Sequence, residues 1–365
     1  MANPNAVVSS VIQFDGGAVR LGNERQVRLD PERPDTRGLV PVIEGLRRLR
    51  QPVYLEIDPA TAAITRLLIP YVTHVSALRQ IDAGLGVELD NSHAAHVLRR
   101  GRPDYEEFER TLREAMRDGR VLLVTDDDAH DIVDVRAFTP GPDGELPPLP
   151  PFPEPPPPLS PWPRWLRDLW HWRVWPWWWF RSRCVSSSRA QQIFNAMAAT
   201  TCNPVAVPPP CIPFMYPDDG CWGRAHEMCR LMVAMGLEPK KVWIDAVGTQ
   251  LKADTRNNPS CFVQWNWHVA PTLCVRRWYI FFLPWAEQRV IDPSLFTTPV
   301  SKAAWKGIQN NPNATLTDTD WTYFRQWGET DPTFTKTDGV LATYRLRLQQ
   351  RSALPAGPPP YAYCP

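Results

Sequence analysis

Cysteine is missing from the first half of the chain: all eight cysteines fall at or after Cys184. No disulfide can brace the region before that point, and no thiol chemistry can start there. Lysine is also missing before Lys240, although arginine is abundant throughout, a bias in keeping with genome composition rather than function. An excess of one charge is missing too. Forty Lys+Arg stand against 39 Asp+Glu, a net charge of +1, so the chain lacks the basic footprint of a nucleic-acid binder. No apolar run reaches ~18 residues, which excludes an ordinary membrane-spanning helix. The start, MANPNAVVSSVIQFDGG, has neither a basic n-region nor an apolar core of secretory length, so no signal peptide is visible.

What is present is modular. Hydrophobic residues make up 43%, enough for packed cores and against whole-chain disorder. Forty-one prolines and 17 tryptophans are far above average usage, and both are clustered. Residues 1–138 read as a small α/β domain. Val53, Leu55 and Ile57 alternate as in a strand, and Asp58-Pro59 closes it with turn chemistry. Phe108, Leu112 and Met116 fall at helical spacing within 104–117, before Asp118-Gly119. Val121 to Val124 read as a buried strand, and Ile132 to Val135 as its successor. Residues 139–163 hold 13 prolines, four consecutive at 155–158, and predict a polyproline spacer, because proline offers no amide donor. Residues 162–180 hold eight of the 17 tryptophans. The division is therefore 1–138, a Pro-rich then Trp-rich linker at 139–183, and a domain at 184–365.

The sharpest local feature is PDDGCWGRAHEMCRLM, residues 217–232. Asp218 and Asp219 are helix-capping types. After Gly220, Trp222, Ala225, Met228, Cys229, Met232 and Met235 recur at 3/4 spacing, and Gly236 is a stop signal. Cys221 thus falls in the first turn of a helix, where unpaired amides favour a thiolate. A cysteine beside tryptophan also reads as structural. A thiol nucleophile needs a base, and the last domain offers only His226 and His268. His226 lies on the same helix, about 140° round from Cys221 at ~100° per residue, so it points away. His268 lies in CFVQWNWHVAP, whose alternation reads as a strand with one apolar and one polar face. A third member would orient the imidazole. Asp292, in RVIDPSLF, ends a short apolar strand, although Glu287, Asp318, Asp320, Glu329, Asp331 and Asp338 also compete.

GCWGRAHEM, WHV and VIDPSLF, in this order and spacing, resemble the bacterial protein-glutaminase (protein-glutamine deamidase) family over about residues 195–310. The resemblance implies an α+β, papain/transglutaminase-like catalytic domain, here behind the separate α/β domain and linker. It places the nucleophile on Cys221, the general base on His268 and the third triad member on Asp292. It implies hydrolysis of protein glutamine side chains to glutamate, with ammonia released through a thioester and no cofactor or metal. The partners would be proteins or peptides with exposed glutamine. The alternatives are transglutaminase-type transfer to an amine, and a non-catalytic module binding through its tryptophans. The resemblance also suggests that an N-terminal pro-region masks the site. Without a visible leader, the expected location is the bacterial cytoplasm or beyond it by a leaderless route.

Other features carry less. His226 to Cys229 lacks the second histidine of HExxH. Asp126, Asp127, Asp128 and Asp131 lack the glycine of a calcium loop. With Cys221 free and Cys229 on the apolar helix face, the remaining six cysteines allow three disulfides. The Trp-rich segment reads as packed back onto a domain rather than lying at a membrane.

Overall fold

The computed structural model describes residues 5–30, 36, 38–138, 184–207, 210–278, 284–326 and 328–365. The Pro-rich spacer, the Trp-rich segment and Trp327 lie outside them.

Residues 5–138 fold around two cores. In the first, five strands pair in the spatial order Gln26–Arg28, Ala18–Leu21, Ala6–Asp15, Pro52–Ile57, Ile64–Leu68. The helix Val40–Leu49 packs Val42, Ile43 and Leu46 into the same apolar cluster as Val53, Leu55 and Ile57. In the second, the helix Tyr105–Asp118 buries Phe108, Leu112 and Ala115. They share a cluster with Leu122, Val124 and Ile132 from the strands Leu122–Asp126 and Ile132–Ala137. Met116 is exposed, because it stands about 80° round from Phe108 at ~100° per residue, on the stripe's edge. Every strand ladder in this part is antiparallel. It is therefore a set of hairpins covered by helices rather than a wound α/β unit.

After residue 184, the strand Trp267–Trp278 forms the centre of a six-stranded sheet. It pairs antiparallel with Lys240–Asp245 and with Pro284–Val290, and parallel with the short strand Val185–Ser186. The helix Cys221–Ala234 packs across it. The alternating run expected as one strand is two. Phe262–Trp265 pairs with Leu251–Asp254, and a new strand starts at Trp267. In one continuous strand Trp265 and His268 would face opposite sides. The break at Asn266 lets their rings stack, 4.5 Å apart and 7° from parallel.

Three disulfides join Cys184 to Cys274, Cys202 to Cys211 and Cys261 to Cys364, leaving Cys221 and Cys229 as buried free thiols. The six paired cysteines are those the sequence leaves once Cys221 and Cys229 are set aside.

The helix Thr335–Ser352 forms the seam between the two parts. Both sides of it are buried. Arg347 donates to the Ile69 carbonyl at 2.6 Å, Gln350 to the Leu67 carbonyl at 3.2 Å, and Arg351 to Asp128 at 2.8 Å. Gly45 lies so close to Leu346 that a Cβ would meet it at 2.3 Å. Among the described residues, no helix is long and apolar enough to cross a membrane.

Candidate active site

Cys221 opens its helix, as its position predicts, but neither acid before it caps that helix. The N-cap is Gly220, at φ 76°. That left-handed conformation suits glycine, and a Cβ there would also strike the Tyr344 ring at 2.2 Å. Arg224, one turn on, donates to the carbonyls of Tyr216 and Pro217, at 2.9 and 3.4 Å, and to that of Asp219. Its buried guanidinium thereby holds the loop that delivers Cys221. The Cys221 thiol is 1% exposed. Burial pushes its pKa well above the usual thiol range, against the opposing pull of Arg224 and the Val269 amide.

His268 presents Nε2 to Asp292 Oδ2 at 2.9 Å. The Trp305 indole N–H donates to the same oxygen, also at 2.9 Å. Burial alone would raise the Asp292 pKa. The His268 hydrogen bond and charge, with help from Trp305, outweigh it and hold the carboxyl below its ordinary value. The imidazole is sandwiched between Trp265 and Trp305, with ring centroids at 4.5 and 5.4 Å. Its Nδ1 is buried and has no hydrogen-bond partner. Donor atoms of Cys221, His268 and a third residue, His93, all lie within 4.8 Å of one another.

The structure thus brings Cys221, His268 and Asp292 together. His226 goes elsewhere, its Nδ1 2.8 Å from Lys241 Nζ and its ring among Trp321, Phe324 and Phe334. Trp222 and Trp305 reach the site, beside His93 and His268, while Trp321 stands beside His226. Trp265 donates its indole N–H to the carbonyls of Pro217 and Asp218. The Trp222 indole N–H is buried without a partner.

His93 is the residue that a search confined to the last domain misses. It reaches the site on the segment 92–95, which runs beside the strand Phe262–Trp265 through a single β-bridge. Ala94 bridges Trp265 antiparallel. Asn266 N–H donates to the His93 carbonyl at 2.9 Å, and Ala95 N–H to that of Gln264 at 3.1 Å. The polar strand face read as cleft-lining is therefore covered. His93 Nδ1 lies 2.7 Å from Asp219 Oδ1, and its ring stacks 5.9 Å from that of His268. Burial pushes the His93 pKa down to about 4, although Asp219 opposes it. His93 is thus neutral at pH 7, with its proton on Nδ1.

Residues 190–309 match the family profile described as Glutaminase, so this segment carries a glutaminase-family domain. The segment contains Cys221, His268 and Asp292, and excludes His93. Among solved structures, the chain is similar to a crystal structure of pro-protein-glutaminase. Identity is 20%, over 82% of this chain and 99% of that one, with a TM-score of 0.49. It is similar to a protein-glutaminase crystal structure at 26% identity, over 50% of this chain and 99% of that one, TM-score 0.38. It is also similar to the NMR structure of protein-glutaminase from Chryseobacterium proteolyticum. There the identity is 25%, over 50% of this chain and 97% of that one, TM-score 0.39. No curated protein matches the chain.

Proposed function

We propose that this chain is a protein-glutamine deamidase whose catalytic domain, residues 184–365, is covered by its N-terminal domain, residues 1–138. One observation carries the reading. Inside the segment that matches the glutaminase family, a ring nitrogen of His268 lies within 4.8 Å of the Cys221 thiol, its Nδ1 has no partner, and Asp292 holds its Nε2. This is the arrangement a papain/transglutaminase-like triad needs.

In the uncovered site, His268 takes the Cys221 proton. The thiolate attacks the γ-carboxamide carbon of a glutamine side chain. The Cys221 amide at the helix start donates to the developing oxyanion. The C–N bond breaks as His268 Nδ1 hands its proton to the departing ammonia. The thioester is then attacked by water, which His268 deprotonates, and glutamate and the free thiol are released. Asp292 keeps the useful tautomer and stabilises the imidazolium.

The segment 92–95 occupies the position beside Gln264 to Asn266, where an extended substrate chain would lie. The spacer at 139–163, 25 residues of which 13 are proline, is where a protease would part the two domains. The test incubates a glutamine-containing peptide with the full chain and with protein freed of its N-terminal domain. Ammonia release and +1 Da steps should follow only in the second. Equal rates would rule out covering. Incorporation of a labelled amine instead of water would make the enzyme a transglutaminase.

A further inference from the structure

We propose that the covered form binds one zinc-like divalent cation between His93 and the Cys221–His268 pair. The site goes beyond the deamidase reading, since it uses a histidine from outside the glutaminase segment.

The argument starts from lone pairs. Asp219 holds His93 by Nδ1, which leaves Nε2 bare. Asp292 holds His268 by Nε2, which leaves Nδ1 bare. Both bare nitrogens are buried and without a partner. One free thiol, Cys221, has its sulfur within 4.8 Å of a ring nitrogen of each histidine. A thiol carries a single proton, so it can serve at most one of two acceptors, and the other is left buried and unpaired. A cation that accepts both nitrogens and the sulfur removes the deficit.

The geometry fits. The three donor atoms lie within 4.8 Å of one another. In a tetrahedral site with Zn–N near ~2.1 Å and Zn–S near ~2.3 Å, ligand atoms stand roughly 3.4–3.6 Å apart, so small rotations about the side-chain bonds close the gap. One sulfur and two imidazoles select zinc or cobalt over magnesium or calcium. Each imidazole already donates its second nitrogen's proton to a carboxylate, the outer-shell pattern that orients metal-bound histidines. Charge is consistent. A dication with one thiolate leaves +1 beside two buried carboxylates, Asp219 and Asp292, with Arg224 opposite. Binding forms the metal–sulfur bond and releases the Cys221 proton to solvent, with no redox change.

A second cluster, His96, Asp126 and His130, does not compete. Asp126 already accepts from Arg347 at 3.4 Å and from His130 at 2.6 Å, and those cations fill the place of a metal.

The test uses the full chain, stripped with chelator and titrated with Co(II), then Zn(II). We expect one equivalent, a near-ultraviolet thiolate-to-cobalt band with tetrahedral visible bands, and displacement by zinc. Cys221→Ser should abolish the band, Cys229→Ala should keep it, and His93→Ala should weaken binding at least tenfold. No thiolate band in the wild type, its persistence in Cys221→Ser, or unchanged affinity in a folded His93→Ala would overturn the proposal. If His93→Ala does not fold, zinc-edge absorption of the wild type decides. One sulfur and two nitrogens support the site, and an all-oxygen shell overturns it. Failure of the deamidase reading shows separately, as no ammonia release once the N-terminal domain is removed.

Discussion

Asp219 accepts from the imidazole Nδ1 of His93 at 2.7 Å and from the backbone N–H of the same residue at 3.0 Å, across 126 positions of sequence. Tyr71 adds its hydroxyl at 3.1 Å. The acid that precedes the Cys221 helix is thus satisfied from the other half of the molecule. Burial would raise its pKa, but His93 and its further partners outweigh that and hold it well below the carboxylate range. Residues two positions apart in the chain, Cys221 and Asp219, therefore belong to one unit with His93. The loop before Cys221 is thus held from two sides, by Arg224 from its own half and by His93 and Tyr71 from residues 5–138.

The nucleophile assignment makes the first prediction. In the uncovered enzyme, Cys221→Ala should abolish ammonia release while the circular dichroism spectrum and unfolding cooperativity survive, because the helix stands on Gly220 and Arg224 rather than on the thiol. Most activity retained in that variant would remove Cys221 from the chemistry. His226→Ala should cost stability through Lys241, its 2.8 Å neighbour, and leave the specific rate of the folded fraction near wild type.

Trp305 and His268 meet at one oxygen of Asp292. Replacing Trp305 with Phe keeps the ring against His268 and deletes the N–H that Asp292 accepts at 2.9 Å. An acceptor robbed of a buried donor loses roughly 1–3 kcal/mol. We expect kcat to fall about ten- to a hundredfold, at ~1.4 kcal/mol per factor of ten, with KM changed little. The pH profile should shift as well, since Asp292 loses one of the donors that hold its carboxyl below the ordinary value. A rate and pH profile both equal to wild type would make Trp305 packing only.

The third prediction concerns pH. His130 lies 2.6 Å from Asp126 and 3.7 Å from Asp218. Burial alone would lower its pKa, but the two carboxylates outweigh burial and raise it to about 10. A histidine held above its free value near ~6.5 stabilises the fold fully below that pH, and the gain is lost as pH rises toward the folded value. Lys241 acts in the opposite sense in the upper part of this range, because burial lowers its pKa to about 8. The difference between wild type and His130→Gln isolates the histidine. Measured by chemical unfolding, that difference should narrow from pH 6.5 to 9, by up to ~1.4 kcal/mol per pH unit. A constant difference would show that His130 is not charged in the fold.

Much of this site is decided locally and can be read from the chain. A glycine before a run of 3/4-spaced apolar residues sets Cys221 at a helix start. An alternating run sets His268 on a strand, and an apolar run ending in Asp-Pro sets Asp292 at a strand end. The helix Tyr105–Asp118 and the strand Pro52–Ile57 fall where the same short-range rules put them, and the strand Leu122–Asp126 begins one residue later and runs two further than the apolar run Val121 to Val124. Other features depend on what packs against a segment. The tail of the helix Thr335–Ser352, YRLRLQQRS, carries polar residues on every side. It is buried because Asp126, Asp128, Asp218 and the carbonyls of Leu67 and Ile69 supply partners for its arginines and glutamines. His93 has no local signal at all. Its neighbours SHAAH show neither period nor motif, and its role comes from a β-bridge and a hydrogen-bond acceptor more than a hundred residues away. Periodicity records which side of an element is apolar. It does not record which distant polar group will meet a given polar side chain, and in this protein those meetings decide what covers the thiol.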